Sequence, residues 1–168
     1  MLSESELLPV IAELSVTFAG FASLISILGA ITSQEQVTVN LWRLRGMLET
    51  AMLTFVFSLA PFLPAKFGVA NSLSWHIAAI AFSTVVAARI LFIIGVRVTP
   101  ELVNRRLAWV VGGAQFFASL VLLGASFFLS LSLVVGAYHL LLFVVLFASA
   151  YLFSRVALSA LTGAEPRS

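Results

Sequence analysis

Three ionisable side chains, Glu13, Glu49 and Arg89, stand inside long apolar stretches of this chain, and two histidines, His76 and His139, stand at the ends of such stretches. A charge in hydrocarbon surroundings costs at least several kcal/mol, so such a group finds a partner, reaches the polar boundary or serves a function. Glu13 has no basic residue within helical reach. A carboxylate there finds a partner on another element or holds its proton, because apolar surroundings disfavour the charged form. His76, Tyr138 and His139 are its candidate partners, giving one reading: a proton- or cation-binding site of Glu13 with one or both histidines. The other reading is an interfacial glutamate hydrogen-bonded to a neighbouring helix.

Glu49 and Arg89 point to an interhelical ion pair inside the apolar region. Arg45 offers a local alternative, since it stands four residues before Glu49 and reaches it along one helix face. Arg89 would then extend its guanidinium toward the boundary. Two histidines suffice for haem ligation only on facing helices around a flat cavity, and histidines at helix ends are ordinary polar aromatics. The zinc-enzyme motif His-Glu-x-x-His is absent, and no metal or cofactor is expected.

Other chemistry is excluded by residue type. The chain has no cysteine, so it holds no disulfide, thiolate metal site or cysteine nucleophile. Aspartate is missing too, which removes a common magnesium ligand. There is no Gly-x-Ser-x-Gly elbow, phosphate-binding loop or dinucleotide fingerprint. No enzyme is expected. The formal charge of +2 comes from arginines clustered near the ends of apolar segments, which points to anionic lipid rather than nucleic acid.

The elements that must position these residues follow from composition. Apolar residues make up 61% of the 168 positions and charged residues 10%. Soluble domains run near half apolar and a quarter charged. A chain this small cannot hide the excess from water, so the excess faces lipid. Crossing a bilayer core of about 30 Å takes roughly 20 apolar residues as a helix. Five segments meet that demand, at about 7–31, 40–62, 75–97, 100–128 and 136–161. Asn40 is the expected cap of the second, and Thr99-Pro100-Glu101 reads as the start of the fourth. Residues 107–154 carry no charge; as one helix they would extend on the order of 70 Å, so they must fold back, with a turn at about 129–135.

The expectation is an all-α, single-domain bundle of five transmembrane helices. The N-terminus opens acidic, with Ser3 and Glu6 fitting a capping box, and lacks the basic start of a cleavable signal. With the N-terminus outside and the C-terminus cytoplasmic, the inner segments hold Arg43, Arg45, Arg97, Arg105, Arg106, Arg155 and Arg167, and the outer ones only Lys66. That is the asymmetry of short cytoplasmic loops.

Membrane helices associate where small residues let backbones approach. The first helix offers Ser15, Ala19, Ala22, Ser26 and Gly29 on one face; Glu13, Thr17 and Gly20 lie nearly opposite. The third offers Ala79, Ser83 and Ala87, the fourth Ala108, Gly112, Gln115, Ser119 and Ser126. Such seams hold a monomer together or form an oligomer interface.

The runs Glu13-Leu-Ser-Val-Thr-Phe-Ala-Gly-Phe-Ala-Ser, Trp42-Arg-Leu-Arg and Leu59-Ala-Pro-Phe-Leu-Pro carry a resemblance over roughly the first 65 residues. They resemble small multi-pass bacterial inner-membrane proteins of uncharacterised activity. The resemblance implies a bacterial inner-membrane location and draws weight to Glu13 and Gly20, but it assigns no functional residue. The function expected is non-enzymatic. The protein would act through helix contacts as a homo-oligomer or as a small subunit of a membrane-protein partner. A small ion or proton channel or transporter using Glu13 and Arg89 is the alternative.

Overall fold

A computed structural model describes residues 4–29, 34–95 and 105–162. Every described element is helical: α1 (Glu4–Gly29), α2 (Gln34–Leu59), the single-turn α3 (Phe62–Lys66), α4 (Asn71–Gly95), α5 (Arg105–Phe128) and α6 (Leu131–Thr162). Four segments are long and apolar enough to cross a membrane, Leu44–Lys66, Asn71–Ile93, Trp109–Phe128 and Leu131–Ser154. At 26 residues, α1 is roughly 39 Å long, comparable with them.

Some boundaries differ from those expected. Asn40 lies inside α2, which begins at Gln34, so it is not a cap. The turn before the last helix is far shorter than 129–135: α6 begins at Leu131. Leu129 still donates to Ala125, and Ser130 already accepts from Leu133 and Val134. Two residues suffice because each helix end satisfies its own backbone groups locally. The expected helix start at Thr99-Pro100-Glu101 and the Ser3 cap lie outside the described residues.

Prolines shape the turn after α2. Pro61 and Pro64 end the long helix and leave the short α3. Beyond it, Val69 donates to Pro64 and Gly68 to Ala65, with Gly68 at φ 82°. This is a Schellman closure, and its left-handed residue must be free of a Cβ, which only glycine is.

The chain forms two compact units, Met1–Val56 with Val145–Ser168, and Phe57–Val144. In the first, α1 buries Leu8, Ile11, Ala12 and Ser15. Leu44 and Met47 of α2 form a core with Phe18, Leu152 and Phe153, and Phe153 meets Phe18 edge-on at 6.2 Å. At Gly46 of α2 the Leu152 side chain of α6 packs close: an added methyl would stand 3.3 Å from Leu152 Cδ1. One turn on, Thr50 and Ser149 share a hydroxyl hydrogen bond of 2.7 Å, and Ser149 donates to the Met47 carbonyl at 2.9 Å.

In the second unit α5 packs on α4. Of the seams on these helices, Ala79 and Ser83 on α4 and Gln115, Ser119 and Ser126 on α5 are buried, Ala87 and Gly112 are half-buried, and the side chain of Ala108 lies outside those described. An aromatic cluster fills the rest. Phe57 stacks on Phe82 at 4.5 Å, and Tyr138 lies 5.4 Å from Phe82 and 5.5 Å from Trp75. The Tyr138 hydroxyl donates to the Phe57 carbonyl. Pro61, four residues after Phe57, has no N–H to offer that carbonyl. Tyr138 therefore supplies the donor that the proline removed, in a place where an unpaired carbonyl would be costly.

This compensation is testable by a double-mutant cycle in detergent unfolding. Tyr138→Phe should destabilise the protein by about 1–3 kcal/mol, the cost of leaving the carbonyl unpaired. In a Pro61→Ala background the same change should cost markedly less, because the alanine restores a backbone N–H that can reach the Phe57 oxygen. Equal losses in both backgrounds would refute the compensation.

Candidate functional site

The residues singled out by type fall in different units. Glu13 lies on α1 in the first, and His76 and His139 lie on α4 and α6 in the second. Glu13 is exposed, directly opposite the buried Ser15 face of α1. Its backbone carbonyl accepts from Thr17 Oγ1 at 2.9 Å. Its carboxylate has no hydrogen-bond or ion-pair partner among the described residues. Among those residues no three His, Cys, Asp or Glu side chains gather in a group that could hold a metal ion.

Glu49 is held from its own helix. Arg45 Nε stands 2.7 Å from Glu49 Oε1, one turn away, and both side chains are substantially exposed. An exposed pair at this spacing contributes a few tenths of a kcal/mol to the helix. Arg89 sits half-buried on α4 and is itself partnered. Glu49 belongs to the first unit and Arg89 to the second.

The histidines share one local arrangement. His76 Nδ1 is 2.7 Å from the Ser72 carbonyl and His139 Nδ1 is 2.8 Å from the Val135 carbonyl, each four residues back. A carbonyl only accepts, so Nδ1 carries the proton in both rings and Nε2 presents its lone pair in the neutral form. His76 is half-buried, whereas His139 is 9% exposed and lies 5.9 Å from the Trp75 ring. His139 Nε2 is buried with no hydrogen-bond partner among the described residues.

The chain matches no family model, no curated protein and no solved structure. Residue geometry therefore carries the functional argument alone.

Of the packing seam expected on α1, Ser15 is fully buried and donates to the Ile11 carbonyl at 2.7 Å; Ala19 is half-buried. The side chains of Ala22 and Ser26, with Gly29, lie outside those described. Ser119 is buried as expected and donates to Phe116. Gly112 is different: a methyl added there would meet no atom within 4 Å, so it makes no close approach. The close approach is at Gly46 instead. Sequence reasoning passed over that helix face, although Gly46, Thr50, Thr54 and Ser58 repeat at strict four-residue spacing. That period is the signal that would have found it. The three hydroxyl residues are all buried.

His139 offers a direct check on whether Nε2 holds anything. With Nε2 unpaired, His139→Phe keeps the ring against Trp75 and removes a buried orphan acceptor. Its unfolding midpoint should be unchanged or raised, by up to about 1 kcal/mol in stability. A loss beyond about 1.5 kcal/mol, more than the Nδ1 bond to the Val135 carbonyl that the change also removes, would instead mean that Nε2 binds a ligand or water in the native protein.

Proposed function

We propose that this chain is a multi-pass integral membrane protein that acts without catalysis, by helix–helix assembly, as a homo-oligomer or as a small subunit of a membrane complex. The observation that carries the reading is the outward apolar surface of helices long enough to span. Phe92 on α4, Phe117 on α5 and Phe147 on α6 are 70%, 70% and 68% exposed. Met52 and Val56 on α2 are about half exposed. Soluble monomers rarely leave apolar patches of this extent in water. In a bilayer the same surface is at ease, since lipid tails are as apolar as the side chains.

Five spans, with α1 as the fifth, put the N-terminus outside and the C-terminus inside, where the arginines cluster. The bacterial inner membrane is the location that the resemblance of the first 65 residues supports. Assembly is favoured over transport by how the buried hydroxyls are engaged. Thr54, Ser83 and Ser126 each donate to a carbonyl of their own helix one turn back. Such hydroxyls help helices pack and leave few donors to line a polar path.

Extraction of native membranes directly into polymer-bounded lipid discs, followed by native mass measurement, tests the reading. The chain is expected in discs with at least one further polypeptide, its own copy or another. A solitary chain in every disc would overturn assembly. Proton or ion flux in proteoliposomes that disappears in Glu13→Gln would favour the transport alternative.

A further inference from the structure

The long part of α2 falls short of the distance that a membrane crossing needs. Arg45 and Glu49 form an exposed ion pair, which belongs at a polar boundary rather than in hydrocarbon. From Glu49 to the end of α2 at Leu59 the helix rises about 15 Å, half of a bilayer core of about 30 Å. The apolar segment that starts at Leu44 accordingly closes only at Lys66, past Pro61 and at the last residue of α3. Between Glu49 and Lys66 no residue is charged, and after Lys66 none is charged until Arg89.

Surface and backbone agree with that length. None of the α3 residues is buried. Leu63 is 58% exposed, and Phe67, in the closing turn, 85%. Turns in water favour Asn, Asp and Ser, yet Lys66 is the only polar side chain from Ala60 to Ala70. The N–H groups of Leu63, Phe67, Gly68 and Val69 all find carbonyls within this same stretch, and Pro61 and Pro64 have none to offer. A loop in water can leave such groups to solvent, whereas one in hydrocarbon must satisfy them itself.

We infer that the proline break and α3 lie within the acyl-chain layer of one leaflet, with phospholipid as the partner of this surface: chains against Leu63 and Phe67, and the phosphate on Lys66. The inference rests on the integral-membrane reading and adds where the chain breaks inside the bilayer and what covers the break. Charge decides for phospholipid over an apolar helix of another protein. Lys66 is exposed, and its four-carbon stem carries the ammonium to the phosphate layer while its neighbours stay among the chains. An apolar helix would cover Leu63 and Phe67 but give that ammonium nothing to pair with. The Phe57 carbonyl, about 12 Å along α2 from Glu49, then lies in hydrocarbon, where the Tyr138 hydroxyl is its substitute donor.

The chain has no cysteine, so single thiols can carry a bimane fluorophore at chosen positions. The full chain is placed in vesicles of phosphatidylcholine and phosphatidylglycerol, with iodide on both faces. Labels at Leu63→Cys and Phe67→Cys should be quenched by lipids brominated on the acyl chain and not by iodide. A label at Asn71→Cys, exposed at the start of α4, should show the reverse. Phe117→Cys, exposed near the middle of α5, controls for the membrane reading and should be quenched by brominated lipid only. Lys66→Glu should open the Phe67→Cys label to iodide, because lipid phosphate repels a carboxylate, whereas Lys66→Arg should not. Iodide quenching at Leu63→Cys and Phe67→Cys, with Phe117→Cys still quenched by lipid, puts α3 in water and overturns the inference alone. Labels shielded from iodide and brominated lipid alike mean that protein covers α3, which removes phospholipid as the partner. Unchanged quenching in Lys66→Glu refutes the phosphate contact. Brominated lipid that fails to quench Phe117→Cys refutes the membrane reading itself.

Discussion

The constraint on which the rest of this structure depends is the satisfaction of backbone polar groups where helices end. In hydrocarbon only helices, or closed barrels, meet it without outside help. Three described places where a helix ends have their own internal donor or acceptor. After Pro61 removes an N–H, the Tyr138 hydroxyl reaches the Phe57 carbonyl from α6. At Gly68 the closing turn returns two N–H groups to Pro64 and Ala65. Between α5 and α6 two residues suffice, because Ser130 accepts for the new helix as Leu129 completes the old one. The aromatic cluster is organised around the same need: Tyr138 must be near Phe57, and Trp75 and Phe82 fill the space its ring defines.

Side-chain hydroxyls obey the same rule. Ser15, Thr54, Ser83 and Ser126 bond back to their own helices. Their worth to packing is size, since a hydroxyl bonded to its own backbone presents a small, neutral surface to the next helix. Thr50 and Ser149 go further and bond across from α2 to α6. Gly46 one turn earlier leaves room on the same helix face for the Leu152 side chain of α6.

Helix existence was legible in the sequence because it depends on apolar length alone, a property of whole windows. Parts of the seams on α4 and α5 coincide with buried positions, Ala79 and Ser83, and Gln115, Ser119 and Ser126, while Ala87 and Gly112 of the same seams are half-buried. Helix ends were less legible. Asn40 looks like a cap, yet α2 runs through it from Gln34, since capping chemistry is a weak local preference beside a continuing helix. The long turn expected at 129–135 presumed that a chain reversal needs several residues, whereas Ser130 caps α6 directly after Leu129 completes α5. Gly112 and Gly46 show the limit for single residues. Both are glycines in apolar helices, and only the neighbour's position separates the close approach at one from the open space at the other.

The candidate site residues divide along the same line. Arg45 and Glu49 could be paired from the sequence because four residues on one helix fix the distance. The bonds of His76 and His139 to carbonyls one turn back follow from the same geometry. That His139 should be buried against Trp75 while His76 stays half-buried depends on which face each helix turns inward, which no local pattern states. Glu13 is the converse case. Its exposure follows from the position of Ser15 two residues on: turning the small-residue face of α1 into the bundle turns the carboxylate out of it.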